Sequence, residues 1–380
     1  MVRKLVIVAL VALVALVALL AFVMRSPSVG PAASARFVPP AGAIVTHFQA
    51  RGTERQRLTI LAATDVTFMH PFIIQYQELN PGVAVDYSDM LSTDLLSIAL
   101  ESCRRKTNVP DVYLSIATDH LVRLANDGCG HEATFGLTVP SWREWHHEVF
   151  AFAIEPAVLV YNRMMFRDRM VPQTHLDLIN ALRSDATFWN GKIGTYDIRK
   201  SGVGFNYAEF DSRESSIFGR LIESLGRSNV QLYCCSNEMV RAVAQGTIAL
   251  AYNVQLSYAY AAQRRDPNVG IVIPSDFQAV QTRSAMIAAS APHPELARGF
   301  IDFLLSDRAQ QIDASLFMPA TGSSETKFVP SDRLLNQANV SSALLRLQDQ
   351  ARRRAFTDEW RQAVHPASSS GVAFRRPSGF

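Results

Sequence analysis

From Leu58 onward, short and almost wholly apolar runs alternate with longer segments whose apolar residues recur on one helical face. "LTILAAT" (Leu58–Thr64) reads as a buried strand, and Asp65–Leu79 then places Phe68, Phe72, Ile73, Tyr76 and Leu79 on one side of a helix. Asn80-Pro81-Gly82 stops that helix, and "VAVDY" (Val83–Tyr87) is a second strand. Ser92 caps a helix carrying Leu95, Leu96, Ala99 and Leu100. "DVYLSIA" (Asp111–Ala117) is a third strand, followed by a helix that ends at Asn126-Asp127-Gly128. Strands alternating with helices in this way predict an α/β fold with a mostly parallel sheet.

Two later apolar runs read as strands crossing between two lobes: Glu148–Asn162 ("EVFAFAIEPAVLVYN") and Gly246–Asn253 ("GTIALAYN"), with a second α/β unit between them. The expected organisation is lobe 1 from 57–150 and 254–300, and lobe 2 from 151–253 and 301–356. Residues 36–56 read as a linker and 357–380 as a C-terminal tail. A crevice between such lobes gathers strand carboxyl ends and helix N-termini, where ligands bind.

Charge narrows the partners. The 380 residues carry 37 Lys and Arg against 34 Asp and Glu, so the net charge is 37 − 34 = +3. That balance argues against nucleic acid, which calls for basic clusters interleaved with aromatics. Arg352-Arg353-Arg354 reads as a solvated helix face. At the N-terminus, Arg3 and Lys4 precede the unbroken apolar run Leu5–Met24, long enough to cross a bilayer. Ala33-Ser34-Ala35 offers a signal-peptidase pattern, so residues 1–35 read as a signal peptide or a retained membrane anchor, and the bulk of the chain as exported.

Four cysteines fit an oxidising compartment. Cys103 and Cys129 fall at the ends of neighbouring predicted helices and are placed to pair, whereas Cys234 and Cys235 are expected to stay two packed thiols. No CxxC and no His/Cys cluster has zinc spacing, and the adjacent His146-His147 has no third ligand nearby in sequence, so no metal is expected. With no GxSxG and no convincing acid/base pair, the chain does not read as an enzyme.

Seven segments, "LTILAATD", "NPGVAVDY", "DVYLSIATDHLVRLANDG", "WREWHHEVFAFAIEPAVLVYNR", "FWNGKIGTYDIRKSGVGF", "ALAYNVQLSYAYA" and "HPELARGFIDFLLSDRAQQ", occur in an order and spacing that resembles the periplasmic solute-binding proteins of ABC transporters. The similarity is to the branch that holds ferric-iron-binding proteins and their organic-phosphate or phosphoglycerate relatives. It implies a two-lobed Venus-flytrap (type II) fold in the periplasm, a monomer without cofactor that closes on one small solute. Its partner would be an inner-membrane ABC permease or, if the chain stays tethered, a sensor kinase. Iron-binding members place adjacent tyrosines just beyond the second hinge strand; Leu256 and Ser257 stand there in this chain, with Tyr258 and Tyr260 separated by Ala259. The resemblance therefore implies a small anionic solute, phosphorylated organic anions included, in place of ferric ion, which stays the alternative.

Residues that suit an anion follow from the pattern. "RKSGVG" (Arg199–Gly204) opens a helix with Ser201, Gly202 and Gly204 behind Arg199. It is either an anion cradle of free amides and a guanidinium or a plain helix cap with an exposed arginine. Thr64 and Asp65 form the matching mouth in the first lobe, Thr64 as a donor and Asp65 as an N-cap. Ser115 and Thr118 end the third strand as caps or contacts. Glu155, inside an apolar strand, needs a partner, either the solute or an internal arginine. Asn162 and Asn253, beside Tyr161 and Tyr252, end the two crossing strands, and Arg283 is a second candidate guanidinium.

Overall fold

The computed structural model describes residues 37–316 and 338–365. The apolar run Leu5–Met24, the pattern at Ala33–Ala35 and the chain beyond residue 365 lie outside these residues, and with them the expected export or anchor segment. Among the described residues no helix is long and apolar enough to cross a membrane.

The first half contains β1 (Ile44–Phe48), β2 (Gln56–Ala63), α1 (Val66–Leu79), β3 (Val83–Asp89), α2 (Ser92–Arg105), β4 (Val112–Ser115), α3 (Thr118–Asn126) and a short β5 (Glu144–Trp145). The long β6 (Val149–Asn162) leads into the second half. There follow α4 (His175–Ser184), α5 (Ala186–Trp189), β7 (Ile193–Tyr196), α6 (Gly202–Glu214), α7 (Phe218–Arg227), β8 (Gln231–Tyr233) and α8 (Ser236–Ala244). That half ends with β9 (Leu250–Gln255), α9 (Leu256–Arg265) and β10 (Val269–Val272). The chain then returns through β11 (Val280–Ile287), α10 (Pro294–Leu305) and α11 (Asp307–Leu316), and α12 (Gln350–Val364) is the last described helix.

The strands run in the order β1-β3-β2-β4-β11-β6-β9-β7-β8. β2 lies parallel to both β3 and β4, and β7 is parallel to β8 and β9. Apart from β8, these strands are largely buried on both faces, which is why they read as continuous apolar runs rather than alternating ones. β6 joins the halves: Val149–Pro156 pairs with β11, and Ala157–Asn162 pairs with β9 and β10. Its register shifts against β11 between Arg283 and Ser284, and against β9 between Val158 and Val160. Bulges of this kind bend a strand locally, as a strand serving two half-sheets requires.

Each half has its own core. Phe72, Phe150, Phe300 and Leu304 pack together in the first, with Tyr76 edge-on to Phe300 at 5.1 Å between ring centres. Leu178, Phe205, Leu225 and Trp360 pack in the second. Cys103 and Cys129 form a disulfide that ties the end of α2 to the turn after α3. Cys234 and Cys235 are also bonded, contrary to the two thiols expected from their adjacency.

Several expected boundaries change. Ile44–Phe48, read as linker, is an edge strand antiparallel to β3. β9, read as a second crossing, stays in the second half, where it pairs with β6 and β7. The chain goes back at β11 instead, so α9 and β10, expected in lobe 1, belong with the second half. α10 and α11, expected in lobe 2, fill the first core with Phe300, Ile301, Leu304 and Ala309. The expected tail begins inside α12, whose Trp360 and Val364 are buried in the second half. Apolar content cannot separate a crossing strand from a doubly covered one, and both errors in the crossing have that origin.

Candidate functional site

The carboxyl ends of β2, β3, β7, β8 and β9 open on a cavity of about 370 Å³ between the halves. The first half supplies Thr64, Asp65, Asp89 and Ser92, and the second supplies Lys200, Ser201, Ser236, Asn237 and Gln255. Hydrogen bonds join the two walls: Asn237 Nδ2 donates to Asp65 Oδ2 at 3.1 Å, and Thr93 Oγ1 to the Lys200 carbonyl at 3.1 Å.

The glycine-rich mouth of α6 is closed. Ser201 Oγ accepts from Gly204 N at 3.1 Å, so the serine is a helix cap. Gly202 N donates to Ser92 Oγ of the first half at 3.0 Å. A Cβ at Gly202 would lie 2.7 Å from that same oxygen and 2.8 Å from His120 Cε1, so this glycine exists to let the halves touch. At Gly204 a Cβ would lie 2.3 Å from Tyr196 Cβ, which makes this a helix–strand packing glycine. Arg199 points elsewhere: its Nε and Nη2 hold Asp197 at 2.7 and 2.8 Å, and it does not line the cavity. Of Arg199, Ser201, Gly202 and Gly204, Ser201 alone lines the cleft.

Glu155 and Arg283, both fully buried, form an internal ion pair at 2.7 Å. The Glu155 carboxylate also accepts from Ser257 N at 2.9 Å and Ser257 Oγ at 2.8 Å, while Arg283 Nη1 donates to Thr64 Oγ1 at 3.2 Å. Arg283 stacks over Phe68 at 3.8 Å. Burial disfavours its charge, but Glu155 outweighs that cost and holds its pKa above the ordinary arginine value. Arg283 and Thr64 therefore reach the cleft wall already committed to each other and to Glu155.

Other expected residues serve the frame. Ser115 Oγ accepts from Ala117 N at 3.0 Å, and Thr118 bonds Ser284 and Thr282. Asn162 Nδ2 donates to the Val243 carbonyl at 2.8 Å. Asn253 has φ +62°, a left-handed conformation that asparagine tolerates better than most side chains, and sits where β9 carries the extra residue of its bulge. Its Nδ2 and the Tyr252 hydroxyl both reach Asp211 Oδ2, at 2.6 and 2.5 Å. Neither asparagine lines the cavity.

A different helix mouth is open. α8 begins at Ser236 with no side-chain cap, and its first turn lines the cleft. Gln255, at the end of β9, is 5% exposed and lines the same space, yet its Nε2 donor has no hydrogen-bond partner. A buried amide donor left unpaired costs about 1–3 kcal/mol, and an acceptor brought by a ligand would remove that cost. Lys200 and Arg241 add exposed positive charge to this wall, with Glu238 as the opposing acid. Sequence reasoning missed α8 because nothing there resembles a glycine-rich loop. The usable signal was position, since Ser236 and Gln255 both sit at the carboxyl ends of strands.

The metal alternative lacks the adjacent tyrosine pair expected of it. Leu256 is buried in the core, Ser257 is bonded to Glu155, and Tyr260 is buried in the second half. Tyr258 reaches the cleft, but burial pushes its phenol pKa up, away from the phenolate that ferric ion needs. Among the described residues, Cys234, Cys235 and Glu238 have ligand atoms within 4.8 Å of one another, but the two sulfurs are joined in a disulfide and offer no thiolate.

Comparison with known proteins agrees with the two-half α/β fold. The family described as bacterial extracellular solute-binding protein matches residues 58–315. The substrate-binding protein of an ABC transporter from Agrobacterium tumefaciens is similar in structure, with 30% identity, a TM-score of 0.79, and coverage of 86% of this chain and 100% of that one. AfuA from Actinobacillus pleuropneumoniae, solved with fructose-6-phosphate bound, has 13% identity and a TM-score of 0.65 over 82% of this chain and 99% of its own. Iron-bound HitA from Pseudomonas aeruginosa has 17% identity and a TM-score of 0.62 over 80% and 99%. No curated protein matches the chain.

Proposed function

Because the chain belongs to the bacterial extracellular solute-binding proteins, which deliver ligands to a membrane permease, we propose that it receives a small anionic organic solute for an ABC importer. The observation that carries the anionic reading is the unpaired Gln255 Nε2 beside the uncapped start of α8. The positive end of a helix dipole and free first-turn amides favour an oxyanion there. Ser201 and Lys200 lie on the same wall and support it. AfuA was solved with a sugar phosphate and HitA with iron. The donors of this cleft suit the first chemistry, because the positions of a phenolate pair are taken by Leu256 and by the Ser257–Glu155 bond.

Closure follows from a solute that touches both walls, since only differential affinity for the closed form shifts the equilibrium. No catalytic step is required of this chain.

A thermal-shift panel of phosphate esters, carboxylates and ferric salts tests the reading, because a ligand that binds only the native form raises the melting temperature. The expected result is stabilisation by an anion that Gln255→Leu abolishes and Arg199→Ala preserves, since Arg199 is spent on Asp197. Loss of the shift in Arg199→Ala, or stabilisation by ferric salts alone, would reject it.

A further inference from the structure

We propose that the solute is amphoteric, with a protonated amine held against Asp65 and Asp89 while its anionic group meets Gln255 and the start of α8. The inference rests on the receptor reading above and adds the second end of the molecule.

The cleft divides its charges by wall. On the first-half side the acids are Asp65, where β2 ends, and Asp89, the last residue of β3, and neither has an ion-pair partner among the described residues. The guanidinium on that side, Arg283, is neutralised by Glu155. Lys200 and Arg241, also without ion-pair partners among the described residues, stand on the opposite wall with Glu238. Asp65 accepts from Thr67 N at 2.7 Å as the N-cap of α1 and from Asn237 Nδ2 at 3.1 Å, with no cationic side chain paired to it among the described residues. Burial first, and then the charge of Asp65, push the Asp89 carboxyl up to about 7. An ammonium group from the solute would supply the missing countercharge.

The independent observation is on the facing wall. The unpaired Nε2 of Gln255 calls for an acceptor, so the same cavity asks for a donor-rich cation at one side and an oxyanion at the other. The two ends lie near each other. Asn237, in the first turn of α8, is itself hydrogen-bonded to Asp65, so a short molecule spans both. A cavity of about 370 Å³ suits such a molecule.

Charge-assisted hydrogen bonds to an ammonium favour an amine over its amine-free counterpart by about tenfold or more. The pH dependence has a definite sign. As pH rises through about 7, Asp89 ionises, and affinity for the amine rises with it. The other charged groups around the cleft are Asp65, Glu238, Lys200, Arg241 and the Arg283–Glu155 pair.

Calorimetric titration of the purified chain with matched pairs tests this: O-phosphoethanolamine against glycerol 3-phosphate, and β-alanine against propionate. The expected result is that one amine-bearing member binds at least about tenfold tighter than its match at pH 8, that the gap shrinks at pH 6, and that Asp89→Asn narrows it. Equal or tighter binding of the amine-free anion overturns the inference and leaves the receptor reading standing. No binding by any anion overturns both. The comparison within the unaltered protein decides the matter even if Asp89→Asn fails to fold.

Discussion

Replacing Glu155 by Gln tests the strand that joins the two halves. The carboxylate accepts from Arg283 Nε at 3.1 Å, Arg283 Nη2 at 2.7 Å, Ser257 N at 2.9 Å and Ser257 Oγ at 2.8 Å, with both charged residues fully buried. The substituted amide keeps an oxygen for Ser257 but leaves the guanidinium without a countercharge. Two charge-assisted bonds at about 1.5–3 kcal/mol each bracket the loss of about 3–5 kcal/mol found when one partner of a buried pair is removed. Urea unfolding followed by tryptophan fluorescence reads this difference. The double change Glu155→Gln with Arg283→Met removes the stranded charge, so it is expected to recover more than half of the loss. A single-variant loss below about 1 kcal/mol, or a double variant less stable than the single one, would refute the reasoning.

Two further outcomes follow from the same geometry. Gly202→Ala introduces a Cβ 2.7 Å from Ser92 Oγ and 2.8 Å from His120 Cε1, across the contact between the halves. It is expected to weaken solute binding about tenfold or more and to raise the radius of gyration by X-ray scattering, while circular dichroism stays unchanged; unchanged affinity would count against the contact. Asp313 is buried with Oδ1 unpartnered, and burial raises its pKa from 3.8 to about 8. The folded state therefore holds a proton that the unfolded chain releases between those values, so stability falls as pH rises from about 4 to about 8 and then levels. Asp313→Asn should flatten that decline in melting temperatures measured from pH 5 to 9, and parallel curves for the two proteins would show that Asp313 is not its source.

The alternation of elements was legible because strands covered on both faces and helices covered on one leave different apolar periods. β2, β3 and β4 stand where those periods predict them. The route back to the first half was not legible, since β9 and a crossing strand have the same apolar character. Glu155 announced its need for a partner by being an acid in an apolar run, and Arg283 answered it. The sequence left the mouth of α6 as either an anion cradle or a plain helix cap, and the fold makes it a cap for a physical reason. Whether a helix mouth is open depends on what the other half places over it: Ser92 accepts from an α6 amide, whereas at α8 the first half meets only the Asn237 side chain, through Asp65, and the helix has no side-chain cap. Gln255 carries no sequence mark beyond its place at a strand's carboxyl end, because its meaning lies in a donor that the fold leaves unpaired.

Native mass spectrometry after equilibration with small phosphate esters and carboxylates tests the central claim most directly, with wild type, Arg199→Ala and Gln255→Leu measured side by side. The account predicts a one-to-one adduct with an acid-bearing small molecule in the first two proteins and its loss in Gln255→Leu. An adduct that survives undiminished in Gln255→Leu, or ferric ion as the only species retained, would contradict it.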